Sequence, residues 1–322
     1  MNIIVIGLGS MGKRRVRLIH EMFPENTVFG VDGREDRRAE AEKVSGITCF
    51  SSLDSIEENI DCAFVCTSPL SHADIITECL EHKWNVFTEI NLIDKSYEKN
   101  LELARKNNCK LFLSSTFFYR EEIKYIRSYI AGEGKWNYIY HIGQYLPDWH
   151  PWENYTDFFV GDKRTNGCRE ILAIELPWLL KTFGDVESTS VVSDKMTGLN
   201  IGFHDNYLIC MTHKNGDKGG LVVDVVSPYA VRKFEAYSEG KYISWDGTPE
   251  SIKAYDPIEK ITKNVSLLEK AEHVDGYKAF IVENAYKNEI QEFFDVVLEG
   301  KQPVYGFEQD QKVLSLIDSL GA

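Results

Sequence analysis

The sequence lacks the features that would tie it to a membrane, a metal or an oxidising compartment. No apolar stretch reaches about 18 residues, so no membrane-spanning helix is predicted. The seven cysteines, at 49, 62, 66, 79, 109, 168 and 210, include no C-x-x-C pair. An odd, scattered set of thiols points to neither a disulfide framework nor a zinc site, and no metal is expected. Positive charge is also short, since 36 Lys and Arg against 50 Asp and Glu leave a net charge of −14. That balance argues against nucleic acid or an anionic membrane as partner, though a local basic pocket fits within it. Met1 leads straight into an apolar strand pattern without a signal peptide, so a cytoplasmic location is expected. Repeats and low-complexity linkers are missing too. What is present is a chain of 322 residues, 43% hydrophobic and 12% aromatic, long enough for two domains with separate cores.

The first of these opens on Asn2-Ile3-Ile4-Val5-Ile6, then Gly7-Leu8-Gly9-Ser10-Met11-Gly12, then a helix-like stretch from Lys13 to Ile19. The β-branched run predicts a buried parallel strand. Gly7 permits the tight turn, Gly9 lets a pyrophosphate approach the backbone, and Gly12 lets helix and strand pack closely. The helix start, with Ser10 and Met11, offers N–H groups and a dipole to the anion. Val28 to Asp32 reads as a second strand that ends in an acid 20 residues beyond Gly12. A carboxylate there accepts hydrogen bonds from adenosine ribose hydroxyls and repels a 2′-phosphate, which favours NAD over NADP. Arg34, with Arg37 and Arg38 behind it, could instead greet a 2′-phosphate, so NADP stays open. The preferred reading pairs these arginines with Glu35, Asp36 and Glu40 on a solvated helix start.

From Asn2 to about Thr116 short apolar runs alternate with helical patterns. The strands fall at 61–66, 85–88 and 110–114 and the helices at 35–44, 74–82 and 97–107. This alternation predicts a doubly wound parallel sheet of Rossmann type, with ligands beyond the carboxyl ends of the strands. After a helix at 121–131 the pattern changes. Strands are predicted at 136–145, 187–193, 207–212, 220–226, 232–238 and 241–245, with hairpin chemistry at Asn215-Gly216-Asp217 and Glu239-Gly240. Helices at 170–182 and 280–298 would cover that sheet. The fold class is therefore α/β, with a nucleotide-binding domain over 1–118 and an α+β domain over 119–322. The second domain carries an open, mostly antiparallel sheet, whose bare face asks for cover, often by another subunit.

The whole chain resembles the Gfo/Idh/MocA family of sugar and cyclitol oxidoreductases. The resemblance rests on the glycine fingerprint, on Thr67-Ser68-Pro69 followed by His72, on Glu89 after the Val86-Phe87-Thr88 strand, and on the two-domain layout. It implies that Thr67, Ser68, Pro69, His72 and Glu89 line the cofactor cleft, and that the protein forms a homodimer or homotetramer through the open sheet. For His72, a helix-start cap without ligand contact is an equal alternative. The departures are as informative. The family's strand-end Glu-Lys-Pro reads Glu89-Ile90-Asn91 here, and its later Asp and His correspond to Glu170 and Ile174. Isoleucine neither donates nor accepts a proton, so the family's proton relay cannot be carried over.

A replacement is sought in Tyr145 to Tyr155, a run of titratable and aromatic residues between prolines. Indoles cover the apolar faces of sugar rings and carboxylates bind their hydroxyls, so Asp148, Trp149 and Trp152 are candidate substrate contacts. His150, oriented by Asp148 or Glu170, Glu170 itself and Tyr155 are the candidate acids and bases. Arg164 and Arg169 either grip an anionic substrate or pair with Glu175. Glu170 and Glu175 lie about 140° apart on a helix, so only one faces the cleft, and Glu170 is chosen. These residues suit an NAD(P)-dependent oxidoreductase of a small carbohydrate. Two alternatives remain, an NAD-dependent epimerase or lyase without net redox change, and a non-catalytic dinucleotide-binding regulatory or scaffold protein.

Overall fold

The computed structural model describes residues 1–132, 134–150, 153–267, 272 and 281–322. Two units make up the chain, Met1–Ser115 with Lys287–Gln309, and Thr116–Tyr286 with Asp310–Ala322. In the first, strands β1 (Asn2–Ile6), β2 (Thr27–Val31), β3 (Thr48–Phe50), β4 (Cys62–Val65), β5 (Asn85–Thr88) and β6 (Leu111–Leu113) form one parallel sheet. Its order is β3-β2-β1-β4-β5-β6. The order reverses between β1 and β4, and the turns that follow these two strands flank that switch point. Helices α1 (Ser10–Met22), α2 (Glu35–Ser45), α3 (Pro69–Glu81) and α4 (Tyr97–Asn107) join the strands. Apolar runs at both sheet faces explain the parallel pairing, since Ile3 to Ile6 and Cys62 to Val65 are all buried. α3 begins five residues before the expected Asp74, because Ser68 stands at the N-cap and Pro69 at the first helical position.

The second unit contains α5 (Glu121–Ile130), β7 (Asn137–Gly143), α6 (Gly167–Phe183), β8 (Val186–Asp194), β9 (Asn206–His213), β10 (Lys218–Asp224), β11 (Val231–Ser238), β12 (Lys241–Trp245), β13 (Lys253–Asp256) and β14 (Ile261–Asn264). Its sheet runs β14-β13-β12-β11-β7-β10-β9-β8, antiparallel except for the parallel pair β7–β10. Alternation along β7 sends Tyr138, Tyr140 and Ile142 inward and leaves Ile139 exposed. The inward face packs on α6, where Phe183 stacks on Tyr138 at 4.2 Å and Trp178 meets Phe234 edge-on at 5.4 Å. α6 starts at Gly167, earlier than the expected Glu170, because the Asn166 side chain caps it by accepting from Arg169 N at 2.8 Å. The short strands β3, β13 and β14 were not anticipated, having too few residues to show a period.

Two further helices complete the chain, α7 (Glu283–Glu299) and α8 (Phe307–Leu320). The expected division at 118/119 gave everything after it to the second domain, whereas Lys287–Gln309 belongs to the first unit. Hydrophobic matching accounts for the return. Phe64, Phe87 and Phe112 stand in register on three adjacent strands and stack at 4.8 and 5.3 Å. Phe293 of α7 presents its edge to all three, at 5.1, 5.6 and 5.7 Å. Such edge-to-face contacts add about 0.5–1.5 kcal/mol each beyond area burial. The expected start of this helix at Phe280 lies outside the described residues, and α8 was not foreseen. Among the described residues, no helix is long and apolar enough to cross a membrane.

Candidate functional site

β1 delivers its last residue into Gly7, whose φ of 91° suits glycine alone, and a Cβ there would meet the Cys66 carbonyl oxygen at 2.8 Å. Gly12 is tighter, since its Cβ would lie 1.8 Å from the Gly7 carbonyl oxygen. Gly9 differs from both. It is the N-cap of α1, and a Cβ on it would find nothing nearer than Arg37 Nη1 at 3.6 Å. A methyl on Gly9 would make only ordinary contact with that guanidinium, and the first turn of α1 carries no acid. The backbone N–H groups of Ser10 and Met11 lie at that helix start, which makes the turn a fit cradle for a pyrophosphate.

Asp32 follows β2 and is pinned in place. Its Oδ2 accepts from Leu8 N at 2.8 Å and its Oδ1 from Arg34 N at 2.9 Å. The carboxylate keeps further lone pairs for ribose hydroxyls. Arg34 forks onto Asp36 at 3.0 and 2.6 Å, in agreement with the solvated-helix reading of that side chain. It is Arg37 that comes to the Asp32 carboxylate, at 3.6 Å.

The turns after β4 and β5 are braced from inside. His72 is 1% exposed, and its Nε2 lies 3.0 Å from the Thr67 carbonyl oxygen. Its Nδ1 meets the Asn91 amide at 2.8 Å. Both ring nitrogens thus face an oxygen, Thr67 O and Asn91 Oδ1, while burial lowers the His72 pKa. His72 therefore ties the Thr67-Ser68-Pro69 turn to Asn91, and neither of the two expected roles, cap or ligand contact, describes it. Glu89 is likewise held inside the fold. Arg15 donates to it from Nε at 2.6 Å and from Nη2 at 3.2 Å, and Nη2 also reaches Glu289 of α7 at 2.7 Å. Glu289 accepts in addition from Ser114 Oγ at 2.9 Å and Ser115 N at 2.8 Å. Burial pushes the Glu289 carboxyl up while the Arg15 guanidinium opposes that shift. Arg15, Asn91 and Glu289 were not singled out in the sequence. The spacing of Arg15 with Leu18 and Ile19, on the apolar face of α1, was the available signal.

In the second unit Glu170 lies in the first turn of α6. Burial raises its pKa from 4.5 to about 8, and among the described residues its Oε2 has no hydrogen-bond partner. Trp149 packs at the same helix start, with Cζ3 3.3 Å from where a Cβ on Gly167 would stand. Tyr155 accepts at Oη from Asn200 N at 3.1 Å. His150 stacks on Phe158 at 4.2 Å, and its Nδ1 lies 3.6 Å from Glu153 Oε2, where Asp148 or Glu170 was expected as the orienting carboxylate. Asp148 is exposed, and Trp152 lies outside the described residues.

The arginines are engaged elsewhere than expected. Glu175, completely buried, pairs with Arg232 at 2.7 Å and not with Arg164 or Arg169. It accepts also from Tyr140 Oη at 2.8 Å and Trp178 Nε1 at 2.7 Å, a set of donors that a buried carboxylate needs. Arg169 donates to Asp318 at 2.7 Å and to the Ala322 carbonyl at 2.8 Å, and Arg164 forks onto its neighbour Asp162. Ile90 and Ile174 are both half-buried at the positions where protonic side chains were looked for.

A doubly wound sheet with a glycine turn at its switch point and an acid after the second strand defines a dinucleotide-binding protein, here joined to an open-sheet α+β unit. Residues 1–115 match the Gfo/Idh/MocA family, described as an oxidoreductase family with an NAD-binding Rossmann fold. That match covers the nucleotide-binding part of the chain, about a third of its length. No curated protein matches the sequence. Several solved structures share the fold over nearly the full length. GenD2 from gentamicin A biosynthesis, in complex with NAD, is 14% identical with a TM-score of 0.79, covering 99% of this chain and 92% of its own. UDP-N-acetylglucosamine 3-dehydrogenase GnnA from Acidithiobacillus ferrooxidans is 15% identical with a TM-score of 0.76, covering 100% and 96%. Myo-inositol 2-dehydrogenase from Lactobacillus plantarum is 14% identical with a TM-score of 0.77, also covering 100% and 96%.

Proposed function

We propose that the protein is an NAD(P)-dependent oxidoreductase of a secondary hydroxyl or carbonyl on a sugar, sugar acid or nucleotide-linked sugar, with Glu170 managing the proton. The observation that carries this reading is the Glu170 carboxyl, its pKa raised by burial to about 8 and its Oε2 unpartnered among the described residues, in a chain that has isoleucine at 90 and 174. When bound, a nicotinamide dinucleotide supplies the hydride donor or acceptor. The turn at Gly9, Ser10 and Met11 would hold its pyrophosphate and Asp32 its adenosine ribose, with NAD preferred.

Below pH 8 Glu170 holds a proton that it can give to a developing alkoxide. Above pH 8 it is a carboxylate that can take the proton of a substrate hydroxyl. A pKa near the working pH suits both directions, and such acid–base help contributes ~10²–10⁴-fold. His150 and Tyr155 are weaker candidates, one stacked on Phe158 and the other receiving Asn200 N at Oη. Trp149, at the same helix start as Glu170, offers an indole for the apolar face of a sugar ring. The dehydrogenases of UDP-N-acetylglucosamine and myo-inositol that share this fold support a polyol substrate.

Ile139, Leu208 and Val192, each more than half exposed, lie on the strands of the second sheet and suit cover by a second copy, giving a homodimer or homotetramer. Seven free thiols go with a cytoplasmic location. The test is a screen of sugars and polyols with NAD and NADH from pH 6 to 9. Oxidation of a hydroxyl should rise through about pH 8 and reduction should fall there, both transitions vanishing in Glu170→Gln. A Glu170→Gln enzyme with the native rate and native pH profile would overturn the assignment.

A further inference from the structure

We propose that β8 is a docking edge for a second copy of this chain, the two strands pairing antiparallel about Val191 so that two sheets join into one. The inference is independent of the catalytic reading and of the sheet-face contact proposed above, since it concerns the rim of the sheet. β8 is the last strand of its sheet, and among the described residues no strand pairs with its outer row of N–H and C=O groups. Sheet edges left open in this way are ordinarily blunted by shortness, lysine, proline or a covering element. The opposite edge shows such devices. β14 has only four residues and carries Lys263, which ion-pairs with Asp256 at 2.7 Å and Glu259 at 2.9 Å. β8 has nine residues without a lysine, arginine or proline. Glu187 to Ser190 are all exposed, so neither face is covered there, and Val192 is 69% exposed.

Symmetry selects the register. In an antiparallel pair, hydrogen-bonded and non-hydrogen-bonded residue pairs alternate, so a two-fold axis has to set one residue opposite its own copy. The regular part of β8 runs from Ser188 to Asp194, where its ladder to β9 is unbroken, and the irregularity lies between Val186 and Ser188. The midpoint of that stretch is Val191. A pivot there sets Thr189 against Ser193, Ser190 against Val192, and the Ser188 hydroxyl against the Asp194 carboxylate. It also brings Glu187 of one copy to Lys195 of the other, at both ends of the pair. Glu187 and Lys195 are exposed, and neither side chain has a partner among the described residues. A pivot at Ser190 would set Lys195 against Asp185, which already holds Lys214 at 3.3 Å. A pivot at Val192 would leave Glu187 facing Thr197. Head-to-tail pairing of β8 on the β14 of a next copy would match nine residues to four and build an open filament, whereas the two-fold pair closes.

Sedimentation of the intact protein over a range of concentrations tests this, with Glu187→Lys, Lys195→Glu and the double reversal. Ile139→Asp serves as the control on the sheet face. Each single reversal sets like charges together at both ends of the pair and should weaken association by about tenfold or more. The assembly should then fall to half its native mass, and the double reversal should restore it. The two single changes move the net charge of −14 in opposite directions, so a general charge effect would not weaken both. Ile139→Asp alters the sheet face alone, and the reversals should act in that background too. All the substituted side chains are exposed, and melting followed by circular dichroism should stay native. A native protein that is monomeric at every concentration, single reversals that leave its mass unchanged, or a double reversal that stays dissociated would each overturn the proposal. Dissociation by Ile139→Asp with the reversals inert would overturn it in favour of the sheet face.

Discussion

Arg15 is completely enclosed, and the two carboxylates that meet it offset the burial of its charge. With both Arg15 and Glu289 at 0% side-chain exposure, removal of the guanidinium would leave Glu89 and Glu289 facing each other without a cation. Arg15→Ala is expected to cost about 3–5 kcal/mol, read from the denaturant midpoint, and a loss under about 1 kcal/mol would show the triad to be dispensable. Glu170 has the opposite problem, a half-buried side chain whose Oε2 has no partner among the described residues. Its folded pKa is about 8 against 4.5 for the free group, so between these values the unfolded chain releases a proton that the folded chain retains. Stability from this group therefore falls as pH rises from about 4.5 to about 8. Glutamine has no such proton, so the melting temperature of Glu170→Gln should gain on the native protein across that window. A constant difference from pH 5 to pH 8 would mean that Glu170 is not desolvated. The sequence showed Asp32 and the glycines because their spacing is local. The partners of Arg15 lie 74 and 274 residues away and that of Glu175 lies 57 away, distances at which one sequence carries no pairing signal.

At the scale of the element, the turn from β1 into α1 separates stability from binding. A Cβ on Gly12 would collide with the Gly7 carbonyl oxygen, and strand and helix would have to part. Gly12→Ala should cost about 1–3 kcal/mol or more and abolish nucleotide binding with it. Gly9 already has φ −74°, and a Cβ there would make only an ordinary contact with Arg37 Nη1 at 3.6 Å. Gly9→Ala should keep the native melting temperature yet lose most NADH affinity, because the added methyl stands where the phosphate approaches. Unchanged NADH binding in Gly9→Ala would place the nucleotide elsewhere. Among the elements, β1, β5, α4 and β12 match their expected bounds. Boundaries slipped where caps carried the information, as at Ser68-Pro69 and Asn166.

For the whole molecule, the return of Lys287–Gln309 to the first unit has the largest effect. An amphipathic helix advertises an apolar face but not the surface it will cover, which is why composition and periodicity placed this segment in the second domain. The family match ends at residue 115, yet the row of Phe64, Phe87 and Phe112 is covered by Phe293. A fragment of residues 1–115 should accordingly be aggregation-prone and bind NADH poorly. The same fragment joined by a flexible linker to 287–309 should melt cooperatively, as followed by circular dichroism. Equal stability of the two fragments would show that α7 is only an appendage.

That arrangement also sets an order of events during synthesis. The ribosome delivers the glycine turn, the ribose acceptor and the aromatic row first, and the helix that covers the row some 170 to 190 residues later. At ordinary elongation rates the interval is roughly 10–40 s. A nascent chain therefore carries an uncovered phenylalanine surface through that interval. Its nucleotide-binding unit is complete only once the covering helix has emerged, so chaperone capture and cofactor loading compete until then.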